Sequence, residues 1–309
     1  LIFGLAAQTQ LSLRDAVRVA LEKHPAMEAA AAKVKAGDAR VAQAKASSMP
    51  RVSYQESFQS SNNPVFAFGT LLTQRRFSEA NFRLDALNNP GFVNNFQSRI
   101  AAEQILYDGG ARKAQVRSAE LDRSSTKEEE RLARMQRVAQ VARAYHGVTL
   151  GRDQLKAAAA AVASADADLN RAEAVRTAGM STDADVLSIR VHLAAMREQQ
   201  IRRNYDLEVA MAALNEAMGL PLDGKPELST PLVAYQGAVK EGKDRPEIKQ
   251  AAYAQDAARQ QRAAARAGLS PQIALRGVFE ADRGRFVTQA GANWWFGASL
   301  RWNLFNGGV

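Results

Sequence analysis

The sequence contains no cysteine. Disulfide bonds, thiolate metal sites and cysteine nucleophiles are therefore excluded. It also lacks any stretch that approaches the ~20 consecutive apolar residues of a membrane-spanning helix, which excludes a helical membrane protein. Strands that cross a bilayer are not excluded, because they are short and alternate in polarity. Charged residues make up 24% and apolar residues 46% of the 309 residues, a composition typical of ordered protein.

Proline is scarce, and the segment from Asp108 to Arg176 has none. At 1.5 Å per residue, this segment predicts a single helix about 100 Å long. Its second half repeats a large apolar residue every seven positions, with a small residue three positions later, which is typical of a close coiled-coil seam. The large residues are Val141, Val148, Leu155, Val162 and Leu169, and the small ones are Ala144, Gly151, Ala158, Ala165 and Ala172.

A second heptad-bearing helix follows a break at residues 177–182 and runs to Met218. Gly179 fits the position just after a helix end, and Ser181 or Thr182 fits the N-cap of the next helix. The pattern predicts an antiparallel hairpin over about 110–218, with its tip at 177–182.

The chain also repeats itself. Residues 24–58 align without gaps to 245–279, so that Pro25, Pro50 and Phe58 fall on Pro246, Pro271 and Phe279. Further on, the segment Leu106-Tyr107-Asp108-Gly109-Gly110 matches Leu304-Phe305-Asn306-Gly307-Gly308. The two offsets differ, so the loop inside the second copy is shorter. Self-similarity of this kind indicates two related structural units.

Polarity alternates with a period of two in four segments, which predicts four half-buried strands. The clearest is 294–304, where Trp294, Phe296, Leu300 and Trp302 share one face; the others are 52–58, 92–106 and 273–281. Their length and terminal aromatic residues suit a tilted membrane strand, and the edge of a soluble sandwich is the alternative. Four strands cannot close a barrel, so in a membrane several chains must share one.

These patterns divide the chain into four parts. Residues 1–10 are interpreted as a signal-peptide remnant or an N-terminal tail. Residues 11–220 form the first repeat, with a helix, strands at about 51–60 and 92–107, and the hairpin. The Pro/Gly-rich stretch 221–244 is an equatorial linker. Residues 245–309 form a second repeat, which we expect to be truncated after its second strand, since the counterpart of the first hairpin would follow Gly308.

No residue pattern predicts catalysis. His24, His146 and His192 lack metal-ligand spacing, the Gly-Gly pairs lack a phosphate-loop pattern, and no nucleophile is paired with a base. We therefore predict no enzyme activity, no metal and no cofactor. Glu128-Glu129-Glu130 is interpreted as a solvated face with ion pairs three and four residues apart.

The net charge of +9 allows three interpretations. Nucleic-acid binding needs a clustered basic patch with stacking aromatics, whereas the basic residues here alternate with acids along the helices. A solvated coiled-coil surface or a cationic tunnel remain.

The duplicated helix–strand–strand–helix pattern, the strand exit at 106–110, the tip from Arg176 to Asp183 and the joint from Met218 to Leu222 together resemble the TolC-type outer-membrane efflux proteins, over about residues 11–309. The resemblance implies a mainly helical fold, in which long antiparallel coiled-coil helices form an α-barrel. It also implies that each of three protomers contributes four strands to one transmembrane β-barrel. The location implied is the outer membrane of a Gram-negative cell, with a periplasmic extension.

The same resemblance implies a passive outer-membrane channel of a tripartite export system. Its partners would be two further copies of itself, a periplasmic adaptor protein, an inner-membrane pump and outer-membrane lipid, with no nucleic acid. The adaptor would contact the tip through Arg176, Gly179, Met180, Ser181, Thr182 and Asp183. For Asp183 and Asp185, a preference of acids for helix N-termini is an alternative explanation. The alternative function is a periplasmic adaptor or a soluble coiled-coil scaffold. The family's gate lies in its second hairpin, so no gate residue is assigned.

Overall fold

A computed structural model describes residues 10–233, 244–287 and 290–305. The predicted signal-peptide remnant at 1–9, residues 234–243 of the predicted linker and Asn306-Gly307-Gly308 of the repeat lie outside the described residues. The helices are α1 (Leu13–Lys23), α2 (Pro25–Ala46), α3 (Pro64–Thr73), α4 (Leu84–Asn88), α5 (Ala111–Thr177), α6 (Asp183–Met218) and α7 (Pro246–Ala267). The strands are β1 (Arg51–Ser61), β2 (Val93–Tyr107), β3 (Gln272–Arg283) and β4 (Gly291–Arg301).

The chain divides into two compact units, and each draws on both halves of the sequence. The first comprises residues 1–35 and 125–250, and the second comprises residues 36–124 and 251–309. Across the described part of the chain, none of the helices carries a stretch apolar enough to traverse a lipid bilayer.

The core of the first unit is the seam between α5 and α6, where the predicted heptads are found. Val141, Val148 and Leu214 are fully buried, and Val186 and Leu193 keep only 2% and 4% of their surface exposed. The small positions Ala158 and Ala165 are also buried, so the two helices approach closely. The large-and-small heptad pattern therefore predicted the hairpin correctly.

Helix α1, which the sequence patterns did not predict, packs on this seam. Ser12 caps it by accepting a hydrogen bond from the backbone N–H of Asp15, and Ala16 and Ala20 are fully buried. Beside it, the hydroxyl of the buried Tyr145 donates to the carbonyl of Leu11 at 2.7 Å and accepts from the N–H of Thr230 at 2.8 Å. This one side chain therefore fixes two distant chain segments to α5.

The second unit contains a four-stranded antiparallel sheet in the order β1-β2-β3-β4. Pro50 and Pro271 each stand directly before a strand, as expected for residues that end a helix. Strand β4 begins and ends three residues before the segment 294–304 that the alternation predicts, so Trp302 and Leu304 follow the strand. The mainly helical fold class with a four-stranded sheet is confirmed.

Asp108 and Gly109 form the junction between β2 and α5. The Asp108 carboxylate accepts hydrogen bonds from the backbone N–H groups of Gly110 and Arg112 and pairs with the Arg112 guanidinium at 2.7 Å. Burial acts to raise the pKa of Asp108, but these bonds and the Arg112 charge outweigh it, so the pKa is lowered. Gly109 has a φ of +67°, which favours glycine.

The segment between β1 and β2 is not a simple loop. It holds α3, a 3₁₀ turn at Glu79–Phe82 and α4. The side chain of Asn63 accepts hydrogen bonds from the N–H groups of Val65 and Phe66, and Pro64 occupies the first turn of α3. Phe77 stacks edge-on with both Phe68 and Phe82, so the segment has a small aromatic core of its own.

Candidate functional sites: the hairpin tip and the sheet

At the hairpin tip, α5 ends in a Schellman motif around Gly179. The N–H of Gly179 donates to the carbonyl of Arg176 at 2.9 Å, and the N–H of Met180 donates to that of Val175 at 3.1 Å. Gly179 has a φ of +75°, which side chains with a Cβ rarely adopt. The sequence therefore placed this glycine correctly.

A capping box begins α6 on the other side of the tip. Thr182 accepts a hydrogen bond from the N–H of Asp185 at 3.2 Å, and the Asp185 carboxylate accepts one from the N–H of Thr182 at 3.0 Å. The hydroxyls of Thr182 and Ser181 also donate to Asp185, and these bonds lower the pKa of its carboxyl. Asp185 therefore has a structural role as the capping carboxylate of α6.

The other predicted tip residues lie within the same few residues of chain. Arg176 and Asp183 pair across the tip at 3.1 Å, and the Asp183 side chain remains 88% exposed. Met180 is 73% exposed, although it is a large apolar residue. The tip thus presents one apolar and two charged side chains from a turn that is capped on both sides.

The sheet has one apolar face, defined by residues that stand opposite one another in register. Tyr54, Ile100, Phe279 and Trp294 form one row across all four strands, and they are 66%, 44%, 45% and 79% exposed. The next row adds Val52 and Phe296, which are 71% and 65% exposed. A contiguous row of large apolar side chains is rarely this exposed on a protein surface unless an apolar environment covers it.

The opposite face is polar. Arg99 pairs with Glu280 at 3.1 Å, and the guanidinium of Arg276 lies over the ring of Trp295. Asp282 is buried on this face, where it accepts hydrogen bonds from the side-chain amides of Asn95 and Gln97 at 2.7 and 3.1 Å. The sheet is therefore divided into an apolar and a polar surface, as the alternation predicts.

A charged cluster interrupts the apolar face near the end of the sheet that carries α3. Arg283 donates to Glu56 at 2.7 Å and to the hydroxyl of Ser98 at 2.6 Å. Tyr54 also donates to Glu56. The cluster was not predicted, because Arg283 lies far from Glu56 in sequence and only the strand register brings them together. It marks one limit of the continuous apolar surface.

Two further surfaces lack partners within the described residues. Strands β1 and β4 are the edges of the sheet and pair on one side only. In addition, α6 carries a second apolar stripe outside the buried seam, with exposed Leu187 and Val191 four residues apart and, further on, Ile201, Tyr205 and Val209 at the same spacing. Open edges and a second seam both indicate contacts with other strands and helices.

The titratable residues behave as structural groups. Glu128 and Glu130 pair with Arg131 and Arg134, as predicted for a solvated face, and Glu129 pairs with Lys33. Within residues 10–233, 244–287 and 290–305, no three His, Asp or Glu side chains are grouped so as to hold a metal ion. His24 has a lowered pKa, chiefly because of burial and then because of the nearby Arg137.

The described residues therefore combine a sheet that exposes one largely aromatic face with a long coiled-coil hairpin. The sequence matches the family model for outer membrane efflux protein over residues 16–220 and 240–309. Since this match covers most of the chain, the protein belongs to the outer membrane efflux protein family. A comparison with curated proteins returns no match.

Solved structures show the same fold. The chain is similar to CusC (TM-score 0.77, 20% identity), with 96% of this chain and 66% of that one covered. VceC of Vibrio cholerae gives a TM-score of 0.76 at 19% identity, with 96% of this chain and 69% of that chain covered. The CmeC outer membrane channel of Campylobacter jejuni gives a TM-score of 0.79 at 15% identity, with 96% of this chain and 62% of that chain covered. The chain thus spans about two thirds of the length of these proteins.

These findings confirm the resemblance to TolC-type channels. The family is one of outer-membrane efflux channels, which are not enzymes. Membership locates this protein in the outer membrane, with an extension into the periplasm.

Proposed function

We propose that the protein is a passive export duct of the outer membrane, assembled as a homotrimer. Each protomer contributes β1–β4 to one shared transmembrane barrel, with the apolar face toward lipid and the polar face toward the lumen. The observation that carries this proposal is the sheet itself, which is open at both edges and exposes a row of large apolar residues, three of them aromatic. In lipid, open edges leave backbone groups unpaired, so neighbouring copies must complete the hydrogen bonding.

The duplicated sequence supports two repeats, at 11–220 and 245–309, joined by the linker 221–244. Helices α2 and α7 both have 22 residues, both begin with a proline, and each leads into a pair of antiparallel strands. Each repeat would then supply half of the strands of the protomer. The exposed stripe on α6 supports packing against a further helix, as in an α-barrel wall.

The hairpin tip is the proposed contact for a periplasmic adaptor, which in turn would couple the duct to an inner-membrane pump. Met180 is the apolar centre of this surface, and Arg176 and Asp183 are its charged rim. Energy for export would come from the pump, and the duct would select solutes by pore width and lining charge.

The proposal is tested by reconstituting the full-length protein, purified from outer membranes, in planar lipid bilayers. A trimeric duct gives discrete ion-conducting openings, and it restores export in a strain that lacks its own outer-membrane channel. A periplasmic adaptor or soluble scaffold would instead dissolve in buffer and give no openings.

The adaptor contact is tested separately by site-specific crosslinking, which is possible because the sequence has no native cysteine. A Met180→Cys variant carrying a thiol-specific photocrosslinker should capture the adaptor in the periplasm. A crosslinker at the exposed Val233, which lies outside the hairpin, serves as the control. Capture of the adaptor only from the control position would contradict the assignment of the tip.

A further inference from the structure

We infer that α3 forms a constriction at the outer mouth of the channel and that its apolar stripe sets which solutes can leave. This inference rests on the proposed function, because it needs the polar face of the sheet to line a lumen. The heptad and alternation patterns did not predict this helix, and its position is given by contacts within the second unit.

The position of α3 along the strands follows from the connections between the elements. Helices α2, α5 and α7 all join the strands at one end, near Arg51, Tyr107 and Gln272. The segment 62–92 joins β1 to β2 at the opposite end. In a protein whose helices extend into the periplasm, this opposite end faces the exterior.

Hydrogen bonds from the end of α3 show on which face of the sheet the helix is anchored. Gln74, directly after α3, donates to the carbonyl of Asn94 at 2.8 Å and to the side chain of Asn95 at 3.0 Å. Asn95 in turn donates to the buried Asp282. Asn95 and Asp282 belong to the polar face, so α3 is anchored on the side of the sheet that faces away from the aromatic rows.

The anchor extends to the far strand of the sheet. The amide of Asn293 donates to the carbonyl of Thr73, and Arg75 donates to the carbonyl of Ala292 at 3.0 Å. A Cβ atom on Gly291 would collide with the Thr73 carbonyl, so the first residue of β4, which contacts the end of α3, must be a glycine. The C-terminal end of α3 is therefore tied to both β2 and β4.

The side chains of α3 form a buried face and an opposite, exposed stripe. Ala67, Thr70 and Gln74 share one face and keep only 2%, 6% and 3% of their surface exposed, and from this face Gln74 donates to β2. The opposite stripe consists of Val65 and Leu72, which are 82% and 47% exposed, while the neighbouring Phe68 packs edge-on against Phe77. With one face on the lumen wall, the apolar stripe points toward the pore axis.

An apolar ring in a water-filled pore acts as a barrier, because water and ions leave a narrow hydrophobic passage. Several copies of the stripe around the pore axis would form such a ring. Solutes with apolar surface would pass it more readily than small hydrated ions. The constriction would thus favour amphipathic export substrates, and it would limit entry of polar solutes from outside.

The test uses the cysteine-free background of the chain. Single variants Val65→Cys and Leu72→Cys are reconstituted in planar bilayers as full-length protein, and a charged methanethiosulfonate reagent is added on the loop side. The matched control is Phe286→Cys, which lies at the same end of the sheet but contacts Phe96 of the apolar face. Modification at Val65 or Leu72 is expected to change the conductance in discrete steps, one per copy, whereas modification of the control leaves it unchanged.

The two proposals fail in different ways. If the unmodified cysteine-free protein gives no conductance, the proposed duct is wrong. If it conducts and both stripe cysteines react by mass spectrometry without changing the conductance, the duct stands and the constriction is wrong. Failure of the reagent to reach either stripe cysteine would also overturn the constriction, because the stripe would then be covered.

Discussion

Substitutions at Gly179 separate the strain of the tip from the surface that it presents. The φ of +75° costs an ordinary L-residue roughly 1–2 kcal/mol. A Cβ atom built on Gly179 meets nothing within 4 Å, so no steric cost is added. Gly179→Ala and Gly179→Leu should therefore destabilise the tip equally, and Gly179→Asn should cost less because asparagine tolerates this conformation.

Gly109 provides the internal comparison. Its φ of +67° is similar, but a Cβ there would stand 2.5 Å from the Ser270 Cβ and 2.8 Å from the Ala267 carbonyl. Overpacking of this kind adds about 1–3 kcal/mol to the conformational cost. We expect Gly109→Ala to lower the free energy of unfolding more than Gly179→Ala does.

The assay for the tip is hydrogen exchange of the amides around the turn, measured by mass spectrometry. A cost near 1.4 kcal/mol should accelerate exchange there about tenfold in both the alanine and leucine variants. Export is measured in parallel in cells. If the adaptor contacts the tip, the leucine variant exports less than the alanine variant although their tips are equally stable. Equal export by the two variants would refute the contact at Gly179. Faster hydrogen exchange in the leucine variant than in the alanine variant would refute the absence of a steric cost at this position.

Three further predictions follow from single contacts. Tyr145→Phe removes a hydroxyl that satisfies Leu11 and Thr230, and should lower the free energy of unfolding by about 2–4 kcal/mol in denaturant titrations; the exposed Tyr205→Phe is the control, with a change of at most ~0.5 kcal/mol. Asp108→Asn should destabilise the protein near neutral pH. Because the folded pKa of Asp108 is lowered, this stabilisation is complete above the unfolded pKa of about 3.9 and is lost as the pH falls through the folded pKa, so the two proteins should converge in acid melting curves. The pair of Glu173 and Arg190 is exposed, so a double-mutant cycle should give a coupling below about 1 kcal/mol, and a larger value would contradict the solvent-screened description.

The long elements could be predicted from sequence because their signals are periodic and repeated. Heptads fixed the α5–α6 seam, and alternation fixed which side of each strand is apolar. The turn chemistry of Gly179 and Thr182 was equally local, since each residue acts on backbone groups within a few positions. Predictions from local patterns of this kind hold in the folded structure, because no distant contact competes with the local preference.

The elements that were missed depend on contacts distant in sequence or on short signals. Helix α1 has 11 residues and is stabilised by burial of Ala16 and Ala20 against the hairpin. Helix α3 carried only a short local signal, Asn63-Pro64, in which a cap is followed by a first-turn proline. The network of Gln74, Asn95 and Asp282 joins three separate parts of the chain, so only the strand register reveals it.

The most direct test of the shared barrel is intermolecular disulfide formation between the two open edges of the sheet. Cysteines are introduced in pairs, one at positions 53–57 of β1 and one at positions 294–298 of β4, into the cysteine-free protein in native outer membranes. If β1 of one copy pairs with β4 of the next, at least one combination should yield a ladder of crosslinked species that ends at the trimer. Crosslinks that form only within single chains, or a protein that remains monomeric under oxidation at every pair, would contradict the account.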